Sequence, residues 1–198
     1  MNFDLSRINT SLCYKLLSSL VLPRPIALIS TVGTAGVVNV APYSFFNALG
    51  SYPQIVAFAS ESPKDSAIFA IETGEFCWSM ATWALRDQMN LTSEGLPRGQ
   101  SEYEFAKLET APSRVVRPPH VAASPASLEC KVTQTLKLLD KDGKETGGLV
   151  VFGQVVGLHI DERLMKEGRF DLAGAQAIAR CGYDEYARVD SVFSMKRP

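Results

Sequence analysis

Apolar and polar positions follow strand-like periods through most of the chain. Ile26 to Thr31 and Val37 to Ala41 are runs of β-branched and aliphatic residues, and Val32-Gly-Thr-Ala-Gly36 between them carries the glycines of a hairpin connection. A third apolar run, Gln54 to Ala59, lies between Pro53 and Ser60-Glu-Ser-Pro63, so three strands are expected before the first clear helix. That helix is predicted to begin with Ser62 as its cap, Pro63 at the first helical position and Asp65 as the acid of a capping box, and to stop at Gly74. Ala67, Ile68, Ala70 and Ile71 supply its apolar face. Glu75 to Ala81 then alternates as a strand, with Phe76, Trp78 and Met80 on one side.

Trp83 to Ala106 is polar and helical in character, broken at Gly95, Pro97 and Gly99, and Ala111 to Pro125 is rich in proline, which together predict an excursion outside the sheet. Leu128 to Leu138 alternates again, and the turn Asp140 to Gly148 joins it to Leu149 to Ile160, whose apolar residues on both faces predict burial on both sides. The tail offers a short helix at Glu162 to Glu167, a mixed stretch through Ala175 to Tyr186 and a last strand at Arg188 to Met195. Many strands joined by hairpins, with few helices, predict a mainly β fold with inserted helices, as a closed antiparallel barrel or, second, a β-sandwich.

Composition narrows the class. A chain of 198 residues, 46% of them hydrophobic, suits a single domain over residues 1–198 with a sizeable core. Twenty basic against twenty-one acidic residues leave no global field for a nucleic-acid backbone or an anionic membrane surface. The longest apolar run is too short for a bilayer, and the N-terminus lacks the pattern of a signal peptide. Four scattered cysteines without a C-x-x-C spacing, and two histidines, argue against a zinc site and for free thiols in a reducing compartment, the cytoplasm.

Three constellations can carry chemistry. In Asn39-Val-Ala-Pro-Tyr-Ser-Phe-Phe-Asn47, Pro42 limits strand pairing and the next residues bring a hydroxyl, aromatic faces and an amide into one turn; this fits a bound ring, or else a Pro-ended strand with Phe45 and Phe46 in the core. The helix start Ser62-Pro-Lys-Asp-Ser66 combines free N–H groups with the Lys64 ammonium and the Ser66 hydroxyl, which suits a phosphate monoester or, equally, ordinary capping. In Arg180-Cys-Gly-Tyr-Asp-Glu-Tyr186 the arginine can meet a phosphate or carboxylate, or pair with Asp184 or Glu185. His159 reads first as a core or interface histidine. The chain contains no G-x-S-x-G elbow, no G-x-G-x-x-G and no Walker loop.

Taken together, Arg24-Pro-Ile-Ala-Leu-Ile-Ser-Thr31, Asn39 to Asn47, Lys64-Asp-Ser66, Thr73-Gly-Glu-Phe76 and Arg180 to Tyr186 resemble the flavin reductase-like family of FMN-binding split-barrel proteins over nearly the whole chain. Leu128-Glu-Cys130 and His159-Ile-Asp161 fall in matching places. The resemblance implies a split β-barrel that forms a homodimer, with FMN near the subunit interface and NAD(P)H as electron donor. It implies that Ser44, Phe45, Phe46 and Asn47 line the isoalloxazine and ribityl parts, that Ser60, Lys64 and Ser66 approach the phosphate, and that Asp65 fixes that turn. Arg24 would be a further contact, and Arg180 and His159 would lie by the flavin or across the dimer interface. Cys181 is a departure, since relatives often carry an aliphatic residue there. The implied activity is that of a flavin reductase passing electrons to free flavin, a small organic molecule or a protein, chemistry for which no general base is needed. An FMN-binding or electron-carrier module without nicotinamide turnover is the alternative, and a related barrel holding haem or a pyridoxal-type phosphate is the other.

Overall fold

The computed structural model describes residues 2–197. It opens with a helix absent from the sequence expectations, α1 (Thr10–Leu20), whose Asn9 cap accepts a hydrogen bond from Ser11 N at 2.7 Å. The strands β1 (Arg24–Pro25), β2 (Ala27–Val32), β3 (Val38–Tyr43), β4 (Phe46–Ser51) and β5 (Gln54–Ser60) follow, then α2 (Asp65–Thr73) and β6 (Glu75–Met80). The excursion comprises α3 (Arg86–Leu91), α4 (Glu102–Phe105), β7 (Thr110–Ala111) and β8 (His120–Val121). After it come β9 (Ala126–Leu139), β10 (Glu145–Ile160), β11 (Met165–Lys166), β12 (Arg169–Phe170), α5 (Leu172–Ala175), β13 (Ile178–Arg180) and β14 (Tyr186–Arg188).

Among the described residues the main sheet runs in the order β3-β2-β6-β9-β10-β5-β4, with every neighbouring pair antiparallel. Its two edge strands, β3 and β4, are consecutive in the chain, joined only by Ser44 and Phe45. No ladder joins them among the described residues, so the curled sheet is a split barrel whose opening is bridged by this two-residue corner. Ala59 N donates to Phe45 O at 2.8 Å and fixes the corner to β5. A smaller sheet, β1-β13-β14, sets Arg24 directly opposite Arg180.

Alternation along β2 explains the two cores. Ala27 and Ile29 face the barrel interior with Tyr43, Phe58, Phe76, Cys130 and Val151, while Ile26 and Leu28 face outward. The excursion covers that outer face, packing Leu85, Met89, Tyr103 and Val121 against Leu28 and Val40. Burial pushes the Cys77 thiol up to about 12 and raises that of Cys130 as well, as expected of thiols that act as small core hydrophobes.

Several expectations are corrected. Helix α2 starts at Asp65 with Lys64 at its cap position and no side-chain capping bond, so Ser62 and Pro63 lie before it and no capping box forms; Gly74, at φ 72°, does end it. Five strands and α1 precede α2, because the expected turn at 44–47 is a corner at Ser44 and Phe45 from which the chain re-enters the sheet as β4. The expected helix at Glu162 to Glu167 is a 3-10 turn, Glu162–Leu164, followed by β11, and the last strand ends at Arg188. The burial expected on both faces of Leu149 to Ile160 is not found either: Val156 and Leu158 are exposed on this chain where β10 pairs with β9 alone, and Leu136 and Leu138 are exposed toward the other end of β9.

Gly153 on β10 is a close approach within the barrel core. A Cβ there would overlap the Phe76 ring and stand 3.1 Å from Cys130 Cβ. Gly153→Ala should therefore lower stability by about 1–3 kcal/mol through overpacking, read as a lower urea midpoint with an unchanged slope.

Candidate functional site

The corner, the end of β5 and the start of α2 meet in an open cleft of ≈ 470 Å3. The chain enters it because Pro42 withholds an N–H from the ladder near the end of β3, and because Lys64 stops short of capping α2. The cleft is lined by Pro42, Tyr43, Ser44 and Phe45 on one side and by Ser60, Lys64, Asp65 and Ser66 on the other. A loop of the excursion, from Thr92 to Leu96 and on to Arg98, forms the third wall.

A buried polar network makes the floor. Glu102 Oε2 accepts from Asn39 Nδ2 at 2.8 Å, and Asn39 Oδ1 accepts from Ser66 Oγ at 2.5 Å and Thr31 Oγ1 at 3.5 Å. Burial, with the Asp65 carboxylate nearby, raises the Glu102 pKa against the donors Val40 N and Asn39 Nδ2. Ser60 Oγ donates to Ser62 O at 2.6 Å. Tyr43, 7% exposed with its ring 4.8 Å from that of Phe58, has a buried hydroxyl without a hydrogen-bond partner among the described residues. Burial raises its pKa; the Ser66 and Ser60 hydroxyls lie close enough to oppose that rise but bond it in no acceptable geometry.

The α2 end of the cleft is suited to an anion. First-turn N–H groups have no acceptor within a helix, and here no side chain caps them. Asp65, which would repel an anion, is instead held by Arg98, whose Nε and Nη2 reach its Oδ1 at 3.1 and 3.0 Å. The corner end is suited to a flat ring, with Pro42 and Phe45 presenting apolar faces.

The structure thus brings Ser44, Phe45, Ser60, Lys64, Asp65 and Ser66 into one cleft and places the other candidates around or away from it. Arg24 sits behind the corner, 5% exposed, donating to Ser18 O, Val21 O and Cys181 O at 2.6, 2.8 and 2.9 Å, with Ser44 Oγ at 3.5 Å and the Phe45 ring at 5.7 Å. It positions the corner. Phe46 turns inward and stacks on Trp78 at 5.9 Å, and Asn47 is exposed on β4, where its Oδ1 accepts from Ala48 N. Arg180 lines an adjoining hollow with Ser44 and Pro42; its guanidinium donates to Tyr183 O and stands 3.7 Å from the exposed Asp184. His159 lies elsewhere, exposed on β10 and stacked on His120 at 5.0 Å. Burial first, and His159 second, lower the His120 pKa. Tyr43 stood within the Asn39 to Asn47 constellation without a role of its own, and Arg98 and Glu102 were not expected in the site; the turn residues Gly95 and Pro97 before Arg98 were the available signal for a loop there.

Comparison with known proteins bears on the family and the fold. Residues 18–174 match the family model described as flavin reductase like domain. A protein of Deinococcus radiodurans is 38% identical over 193 residues, covering 91% of this chain and 82% of its own. The crystal structure of nitrilotriacetate monooxygenase component B from Bacillus cereus superposes with a TM-score of 0.93 at 29% identity, over 98% of both chains. That of the 2-nitrobenzoate 2-nitroreductase of Pseudomonas fluorescens gives 0.88 at 27% identity, over 100% of this chain and 96% of that one.

The raised pKa of Glu102 fixes a pH dependence. Because the folded state holds this proton more tightly than the unfolded chain, stability is greatest below the unfolded carboxyl value and falls as pH rises through the folded one. Glu102→Gln keeps an oxygen acceptor for Asn39 and Val40 and should remove that fall. Urea midpoints of the two proteins, measured across the acidic range to neutrality, should diverge in favour of the variant as pH rises.

Proposed function

The chain belongs to the flavin reductase like domain family, and on that basis we propose that it binds FMN in the cleft at the split of the barrel and acts as an NAD(P)H-dependent flavin reductase. The observation that carries this reading is the joining, in one cleft, of a ring-accepting corner to an anion-accepting helix start, with the unpartnered Tyr43 hydroxyl between Ser60 and Ser66. A buried donor without an acceptor costs about 1–3 kcal/mol, and a phosphate oxygen would relieve that cost. Lys64 and the first-turn N–H groups of α2 would hold the phosphate, with Asp65 neutralised by Arg98. Ser44 and Phe45 would hold the ring, oriented by Arg24 from behind.

Bound there, FMN supplies a ring that accepts a hydride from a reduced nicotinamide and hands its electrons on to a small-molecule or protein acceptor. The chain's own work is alignment, desolvation and hydrogen bonding, and no residue of the corner is required as a general base. A homodimer is part of the proposal: Leu49, Tyr52, Val156 and Leu158 on β4, β10 and the β4–β5 turn are large and exposed, and a second copy would cover them. His159, beside Leu158, would reach a flavin only from such a partner. The four cysteines, all free, suit the cytoplasm.

Three measurements test the reading. Oxidation of NADH or NADPH should appear with added FMN, and the loaded protein should be yellow. FMN binding without pyridine-nucleotide oxidation would leave the electron-carrier alternative, and absence of FMN binding would sink both. Tyr43→Phe deletes one oxygen and keeps the ring against Phe58, so its apo form should be at least as stable as the parent while FMN affinity falls by about tenfold. Sedimentation velocity should give a dimer mass, and a monomer would remove the interface from the proposal.

A further inference from the structure

Beside the cleft lies a second hollow of ≈ 290 Å3, with Met89 and Ile178 among its lining and Trp83 and Tyr186 as its aromatic members. Met89 and Ile178 belong to the second core, so part of the hollow is rigid. The two rings are 44% and 43% exposed. Each faces a guanidinium at cation–π range: Arg86 and Arg188 stand 4.3 and 5.0 Å from the Trp83 ring centre, and Arg180 stands 4.4 Å from that of Tyr186.

The three arginines are held only lightly. Their acidic partners are Asp87 at 3.2 Å and Asp190 at 3.0 Å, exposed pairs of the kind that water screens, and for the half-buried Arg180 the fully exposed Asp184 at 3.7 Å. Arg86 also donates to Trp83 O and Arg180 to Tyr183 O. A phosphate offers such forks a better-matched acceptor than an exposed carboxylate in water. The hollow also leads somewhere. Met89, Asn90 and Tyr186 line an intermediate hollow as well, together with Pro42, Ser44 and Ser93, which in turn line the cleft.

We propose that this hollow is a second binding site, taking a planar ring that carries phosphate, and that it holds the adenosine diphosphate end of the reduced nicotinamide dinucleotide. The adenine takes the place of guanidiniums over Trp83 and Tyr186, Arg86, Arg180 and Arg188 turn from the rings to the phosphates, and the intermediate hollow directs the nicotinamide toward Ser44. The inference rests on the reading of the cleft as the flavin site.

ADP-ribose, which lacks the nicotinamide, probes this hollow by itself. Calorimetric titration of the full-length purified protein should show one saturable site, weakened about tenfold in Trp83→Ala and retained in Trp83→Phe, with KM for the dinucleotide rising in proportion and kcat holding. Trp83 is exposed, so an unchanged urea midpoint in both variants excludes misfolding as the cause. Absence of ADP-ribose binding, or binding indifferent to Trp83→Ala, overturns the proposal. Trp83-dependent binding of benzoate without binding of ADP-ribose also overturns it and assigns the hollow to an aromatic acid. Trp83-dependent ADP-ribose binding by a protein that oxidises neither NADH nor NADPH supports the site and defeats the reductase reading instead.

Discussion

Arg24 carries a charge into the interior where no carboxylate among the described residues meets it. A buried guanidinium is tolerated only if its donors find acceptors, and here they are backbone carbonyls from the end of α1, the chain just after it, and the residue after β13. The stretch from α1 to β1 and the residue after β13, 157 residues away, are thereby tied by one side chain, with Ser44 and Phe45 lying against it. A lysine would present a point charge with three donors on one atom, and could not span these acceptors with a planar fork. The two residues that bridge the split of the barrel are set by this arrangement, and with them the mouth of the cleft.

The split has a second consequence. An open sheet edge leaves backbone and side-chain polar groups without partners, and proteins ordinarily cover or pair them. Here the region between β3 and α2 keeps an unpartnered tyrosine hydroxyl, an uncapped helix start and a carboxyl of raised pKa within one small volume. Each lowers the stability of the protein by itself, and their coincidence at one place is the ground on which the cleft is proposed as a binding site.

Much of this was legible from the chain. The apolar runs at Ile26 to Thr31 and Gln54 to Ala59 and the alternating run at Glu75 to Ala81 became β2, β5 and β6, and β2 is apolar throughout because its two faces enter two different cores. The glycine stop of α2 followed from the need for a left-handed residue. Other features were illegible for physical reasons. Helix α1 was the exception: Leu12, Leu16 and Leu20, with Cys13 and Leu17, fall at helical spacing behind the Asn9 cap and were not read as a helix, although this chain leaves Leu12, Leu17 and Leu20 exposed and Ser18 is its buried residue. Phe46 looked like a partner of Phe45, but the corner between them reverses the chain, and one ring lines the cleft while the other stacks on Trp78. Arg24, expected as a further flavin contact, lies buried behind Ser44 and Phe45 with its donors on backbone carbonyls. Arg98 and Glu102 act across 33 and 63 residues of sequence, on Asp65 and Asn39, and no local pattern encodes such pairs.

The excursion between β6 and β9 joins these observations. Its Leu85, Met89 and Tyr103 complete the core outside β2 and β3, so it cannot be removed without exposing that face. The same segment supplies Ser93 and Arg98 to the cleft, and Trp83 and Arg86 to the hollow beside it. Packing therefore anchors one face of the insertion while its turns remain free to vary in sequence at the surface. The barrel and Arg24 determine where a ring can lie, and the insertion determines what can approach it. Under the proposed reading, selectivity could change through Trp83, Arg86, Ser93 and Arg98 with the strand register untouched, because these residues lie outside the second core, whereas Met89 serves both the core and the hollow.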